Sequence, residues 1–182
     1  MSALLTEDYR KQLVQMHVNK ASFGKGGSRW APIVKRLSES LGTAKILDYG
    51  CGKGDLNLYF PYGIDMYDPG IPKYAEMPRP HDIVVCTDVL EHVEPDHIAG
   101  VIEHLAVLTR KALVLNVNCQ PAQKHLPDGR NAHLTVKPPE WWLWHMNLEN
   151  RWAPPEDKPA LGKLKDGTIY DFVTILYPRE PS

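Results

Sequence analysis

The sequence predicts an α/β fold: a Rossmann-like, doubly wound, mostly parallel sheet. Three observations predict it. Short apolar or β-branched runs at 45–49, 81–86 and 113–117 are interleaved with segments of helical period. Strands alternating with helices in this way form a largely parallel sheet covered on both faces. The first run breaks into Gly50-Cys51-Gly52-Lys53-Gly54, a tight turn at the strand end where such sheets hold ligands. Finally, 182 residues with 43% hydrophobic content suffice for one domain with a real core.

Taken in order, Leu5, Tyr9, Leu13 and Met16 fall at helical spacing and predict a short amphipathic helix within 1–20. Phe23-Gly24-Lys25-Gly26-Gly27-Ser28 is a loop, because three glycines in four positions cost too much backbone entropy inside a helix. Ser28 is placed to cap a helix with Trp30, Ile33, Val34, Leu37 and Leu41 on its apolar face, Pro32 in its first turn and Gly42 just past its end. A buried strand over Lys45–Tyr49 enters the glycine turn. A brief helix over about Asp55–Phe60 then leads to a second strand near Tyr62–Asp65.

Met66–Pro80, with four prolines, reads as a loop with room for one short strand. His81–Cys86 is a β-branched strand ending at Thr87-Asp88. Pro95 suits the first turn of the next helix, whose stripe is Ile98, Val101, Ile102, Leu105 and Leu108. Leu113–Val117 is a strand, and Asn118–Pro139 is a long polar loop of the kind that carries function or disorder. Pro139 opens a helix containing Trp141, Trp142, Trp144 and Leu148, and Thr168–Tyr177 is the closing strand.

A formal net charge of −1, from 21 basic and 22 acidic residues, predicts no long-range attraction to nucleic acid or an anionic membrane. No apolar run approaches the ~20 residues of a membrane span, and Glu7, Asp8 and Arg10 stand where a signal peptide needs apolar residues. Cys51, Cys86 and Cys119 show no metal-ligand spacing, so reduced thiols and a cytoplasmic protein are expected. No heptad repeat or long apolar edge reveals an oligomeric state.

The ligand at the first strand end can be narrowed. A dinucleotide fingerprint needs a third glycine at position 55, but Asp55 stands there, and its carboxylate would face a pyrophosphate. Asp48, two residues before the first glycine, suits a ligand carrying an ammonium or sulfonium group. Asp65, read as the end of the second strand, is placed to accept hydrogen bonds from ribose hydroxyls.

Ile46-Leu47-Asp48-Tyr49-Gly50-Cys51-Gly52-Lys53-Gly54 resembles the first motif of class I S-adenosylmethionine-dependent methyltransferases. Gly63-Ile64-Asp65-Met66 is similar to that family's second motif, and Asp82–Val93 to its fourth strand with the Leu-Glu-His turn after it. The resemblance covers roughly residues 44–118. It implies S-adenosylmethionine as cofactor, with its amino-acid end at Asp48, Tyr49, Gly50, Cys51 and Gly52, its ribose at Asp65 and its adenine against Met66. Asp88 and Val89 complete the cofactor-binding set. Two departures stand out: the helix after the glycine loop is short, and the usual third strand with its adenine-contacting acid is not evident between Met66 and Pro80.

The resemblance divides the chain into N-terminal helices and a lid loop (1–43), a cofactor-binding core (44–118) and an acceptor-side loop, helix and last strands (119–182). Phe23, Lys25 and Arg29 fall in the lid. Methyl transfer from a sulfonium needs in-line positioning and a place for the acceptor's proton. His92, after the fourth strand of the motif, and His133, in the long loop, are the catalytic candidates.

Asp88, Glu91, His92 and His133 together offer ligands that a divalent cation accepts, in a set loosely similar to the metal site of small-RNA 3′-terminal methyltransferases. The rest of that pattern is not recognisable, and no metal is assigned. Lys124, His125, Arg130 and Lys137 surround the long loop and are placed to offset an anionic acceptor, or simply to be solvated surface. The expected activity is methyl transfer to an oxygen or nitrogen of a small or medium-sized acceptor. The rivals are a nucleic-acid methyltransferase, with or without a divalent metal, and a non-catalytic protein that binds the cofactor or a partner through its tryptophans.

Overall fold

The computed structural model describes residues 3–20, 23–147, 151–153 and 158–179. Its centre is a six-stranded sheet built from β1 (Ile46–Tyr49), β2 (Asp65–Tyr67), β3 (His81–Thr87), β4 (Thr109–Asn118), β5 (Ala160–Lys163) and β6 (Ile169–Leu176). The strands lie in the order β2-β1-β3-β4-β6-β5. β2, β1, β3 and β4 are parallel, while β6 runs antiparallel to both β4 and β5. Because β1 leads to β2 on one side and β3 lies on the other, the chain reverses its winding beside β1. The crevice between the carboxyl ends of β1 and β3 is therefore the place for a ligand.

Alternation along the central strands separates two cores. Ile46, Ile83, Val85, Ala112 and Val114 face helix α2 (Ala31–Leu41), meeting Trp30, Val34 and Leu37. Leu47, Val84, Cys86, Leu113 and Leu115 face the other way, toward α3 (Ile98–Leu108) and α4 (Pro139–Asn147), where Leu105, Trp142 and Met146 close the layer. Each such aliphatic side chain contributes about 1.5–3 kcal/mol by burial. Helix α1 (Glu7–Asn19) belongs to neither layer. Its Tyr9 and Met16 pack with Phe23, Leu126 and Ala132, so α1 crosses the open end of the sheet and joins the loop after β4.

Local chemistry explains the helix ends. Thr6 caps α1 by accepting the Tyr9 amide at 3.2 Å. Gly42, at φ 59°, ends α2 in the left-handed region where a Cβ would be strained. Ser28 does not cap α2 as expected: it lies in a 3₁₀ turn, Gly27–Trp30, that runs directly into the helix and has no side-chain cap.

Three further expectations shift. The segment Asp55–Phe60 forms only the 3₁₀ turn Asn57–Tyr59, because Phe60 precedes Pro61 and is pushed out of the helical region. β2 begins at Asp65 rather than ending there. β5, a short edge strand with no apolar alternation, was not foreseen. Leu148 lies outside the described residues. Between Met66 and Pro80 the chain continues β2 and then forms only the turn Pro72–Tyr74, so β2 is the sheet's edge, in keeping with a trimmed third strand. Among the described residues no helix is long and apolar enough to cross a membrane.

Candidate active site

A cavity of about 570 Å³ opens at the carboxyl ends of β1, β2, β3 and β4, beneath α1. The glycine turn forms its floor, and its glycines answer to neighbouring protein atoms. A Cβ on Gly50 (φ 75°) would stand 2.3 Å from Val89 Cγ2, across the β1–β3 crevice. One on Gly52 (φ 52°) would stand 2.3 Å from the Gly24 carbonyl. That carbonyl also accepts the Lys53 amide at 2.8 Å, so the N-terminal loop lies on the glycine turn like a strap. Phe23, Gly24 and Lys25 of the strap line the cavity.

Of the residues singled out in the sequence, Tyr49, Gly50, Gly52, Asp88, Val89, His92 and His133 come together on the cavity wall; Asp48, Cys51, Asp65 and Met66 do not. Asp48 and Cys51 are buried beneath the turn. Burial, then the charges of Asp68 and Asp55, push the Asp48 carboxyl up to about 7.

Asp65 does not end the second strand. It opens β2, its side chain is 75% exposed, and it accepts from His81 Nε2 at 2.6 Å, away from the cavity. The register Tyr49↔Tyr67 makes Asp68 the first residue beyond β2, level with the glycine turn. Asp68 is buried against the cavity, accepting the Gly52 amide at 2.9 Å and the Gly70 amide at 2.8 Å. Ile64-Asp65 imitates a strand end because an apolar residue precedes an acid. The better signal was Tyr67-Asp68-Pro69-Gly70, an aromatic strand residue running into turn formers. His17 of α1, also unforeseen, approaches Asp68 at 3.8 Å. Burial raises the Asp68 carboxyl, while His17 and the two amides oppose the shift.

The opposite wall carries the imidazoles. His92 Nδ1 lies 2.7 Å from the Ala132 carbonyl and His133 Nδ1 2.5 Å from the Gln120 carbonyl. A carbonyl only accepts, so each Nδ1 carries the proton and each Nε2 keeps a lone pair. The rings meet edge to face at 4.8 Å. Burial, then the neighbouring His133, holds His92 down to about 4, and burial lowers His133 as well. Both are neutral bases at physiological pH. The Tyr9 hydroxyl, donating to the His92 carbonyl at 2.6 Å, ties α1 to this wall.

Asp88 adopts a left-handed backbone conformation, φ 55°, and meets the Arg29 guanidinium at 3.1 Å. Arg29 also reaches Asn116 Oδ1 at 3.2 Å. Glu91, between Asp88 and His92, is fully buried: Oε1 accepts the Asn118 amide at 3.0 Å, and Oε2 has no partner. Burial, then the Asp88 charge, pushes its carboxyl up to about 8. Trp141, Trp142 and Trp144 do not line the cavity; Trp142 fills the core and Trp144 is exposed.

No family model and no curated protein matches this sequence. Solved structures do match it. One is the 1,6-didemethyltoxoflavin-N1-methyltransferase of Burkholderia thailandensis, solved with 1,6-didemethyltoxoflavin and S-adenosylhomocysteine; it is 15% identical at TM-score 0.64, over 99% of this chain and 92% of that one. The N-methyltransferase NodS of Bradyrhizobium japonicum WM9, in complex with S-adenosylhomocysteine, is 13% identical at TM-score 0.61, over 96% and 100%. The magnesium protoporphyrin IX methyltransferase of Synechocystis PCC 6803, with bound S-adenosylmethionine, is 18% identical at TM-score 0.59, over 98% and 100%. The fold is thus that of class I methyltransferases, a mostly parallel Rossmann-like sheet.

Proposed function

We propose that the protein is an S-adenosylmethionine-dependent methyltransferase acting on an oxygen or nitrogen of a small or medium-sized acceptor. The observation that carries this reading is the single cavity that sets the glycine turn and Asp68 on one wall and two neutral imidazoles on the other. When bound, the cofactor supplies an electrophilic methyl group on a sulfonium. Asp68 accepts hydrogen bonds from the sugar hydroxyls, held in place by the Gly52 and Gly70 amides. The turn at Gly50–Gly52, whose glycines make room for Val89 and the Gly24 carbonyl, floors the end of the cavity that takes the amino-acid tail. Asp88 offers a carboxylate to the tail's ammonium. His92 or His133 takes the acceptor's proton on Nε2 as the new bond forms. The strap and α1 partly cover the cavity.

Calorimetric titration with S-adenosylmethionine tests the cofactor. One site with micromolar affinity is expected, and the absence of heat or thermal shift at millimolar ligand rules the reading out.

One observation favours a second reading, metal-assisted transfer. Glu91 Oε2 is buried with no hydrogen-bond partner, and Glu91, His92 and His133 each offer a donor atom within 4.8 Å of the others. Imidazoles anchored through Nδ1 on carbonyls are oriented as ligands commonly are. Two donors on one ion at about 2.1 Å stand no more than about 4.2 Å apart, so the set must draw in slightly. Asp88 is turned to Arg29 and stays outside the set. A divalent ion there would lower the acceptor's pKa in place of a histidine base. A stoichiometric ion in the purified protein and loss of activity with chelator support this reading; chelator-insensitive turnover dismisses it.

A further inference from the structure

His17, in the last turn of α1, stands where that helix, the strap and the turn after β2 meet. Its side chain and that of Asp68 are 9% and 10% exposed. A Cβ on Gly24 would lie 2.6 Å from His17 Cε1, and one on Gly70 3.1 Å from its Cδ2, so the two glycines leave a slot that the imidazole fills. Phe23 meets the ring edge-on at 4.8 Å. Packing thus fixes the ring, while its nitrogens are left over. Among the described residues the buried Nδ1, on the strap side, has no hydrogen-bond partner. Nε2 stands 3.8 Å from Asp68 Oδ2, too far for a direct hydrogen bond.

That gap suits a bridging group. An oxygen about 2.8 Å from each of two atoms spans a separation of 3.8 Å. The chemistry on its two sides is complementary. Asp68 accepts the Gly52 and Gly70 amides, which marks it as an ionised acceptor, and an ionised carboxylate has about four acceptor sites in all. Facing an acceptor, His17 carries its proton on Nε2. Burial, against the pull of Asp68, keeps the ring below its ordinary value and neutral. A hydroxyl is the group that donates to the one and accepts from the other. The gap also opens on ligand space: His17 and Asp68 line the main cavity, and His17 with Gly52 lines a second cavity of about 290 Å³.

We infer that His17 is the second half of a sugar clamp, in which one hydroxyl of the cofactor's ribose donates to Asp68 and accepts from His17 Nε2–H. The site then selects a ribonucleoside over its deoxy counterpart. Helix α1, tied to the far wall by the Tyr9 hydroxyl on the His92 carbonyl, takes part in holding the cofactor. The inference rests on the methyltransferase reading, in which Asp68 meets the sugar.

The test titrates the full chain calorimetrically with S-adenosylhomocysteine and with its 2′-deoxy and 3′-deoxy counterparts. At least one deoxy compound should bind wild type about tenfold or more weakly than the parent, the scale of a hydrogen bond to a charged group. That ratio should shrink by about 3- to 10-fold in His17→Phe, the scale of a neutral hydrogen bond, and be kept in His17→Gln, whose amide reaches the Nε2 position. His17→Asn, too short to reach it, serves if His17→Phe does not fold. A ring that only packs would change the affinity for all three ligands alike and leave the ratio unmoved. Equal wild-type affinity for all three, an undiminished ratio in His17→Phe or His17→Asn, or an equal loss in His17→Gln overturns the inference. If S-adenosylhomocysteine binds and the ratio is unmoved, this inference alone falls; if none of the three binds wild type, the cofactor reading falls with it.

Discussion

Replacing Glu91 with glutamine tests the electrostatics of the site at its most deeply buried acid. The Glu91 carboxyl is pushed from 4.5 to about 8, chiefly by burial. A value raised on folding makes a stabilising contribution that is complete below 4.5 and is lost as pH rises toward and through 8. Across that window the unfolded chain has released a proton that the folded chain keeps, so stability falls by about 1.4 kcal/mol per pH unit.

Between about pH 5.5 and about pH 7.5 this one group removes roughly 3 kcal/mol, which Glu91→Gln should not lose. Asp48, at about 7, also lowers stability as pH rises, while His92, at about 4, opposes it below its ordinary 6.5. Both are common to the two proteins and largely cancel in the difference. Urea unfolding of chelator-treated protein at the two pH values measures it. Parallel losses in wild type and variant would refute the assignment of Glu91 as a buried acid that keeps its proton.

Other perturbations separate the parts of the site. Asp68→Asn should weaken S-adenosylmethionine binding by about 10- to 100-fold in calorimetry, the scale of hydrogen bonds to a charged group, whereas Asp65→Asn should leave it unchanged. Gly52→Ala forces a left-handed alanine against the Gly24 carbonyl, and should cost about 2–4 kcal/mol in thermal or urea unfolding. His92→Ala or His133→Ala should lower kcat by about 100-fold or more for whichever residue takes the proton, with cofactor affinity retained.

Legibility in the sequence followed the strength of the local signal. β1, β3 and the middle of β4 are apolar on both faces because helices cover both, and such runs are hard to mistake. Helices α2 and α3 announce themselves by stripe and, for α2, by Pro32 and Gly42. β2 is three residues long, half-exposed at the edge, and held in register by pairing with β1 rather than by composition, so the sequence puts Asp65 at a strand end that the structure puts at Tyr67. His92 and His133 were visible as types, but only the fold brings residues 41 positions apart into edge-to-face contact. Only the fold brings Lys20 Nζ to the His125 carbonyl and Lys53 Nζ to the Lys20 carbonyl, contacts that no local pattern announces.

A crystal structure of the protein grown with S-adenosylhomocysteine tests the central claim most directly. The sugar hydroxyls should lie on the Asp68 carboxylate, the amino-acid tail at the Gly50–Gly52 turn, and the sulfur facing His92 and His133. A ligand bound elsewhere, or a saturating ligand that leaves Asp68 untouched, would contradict it.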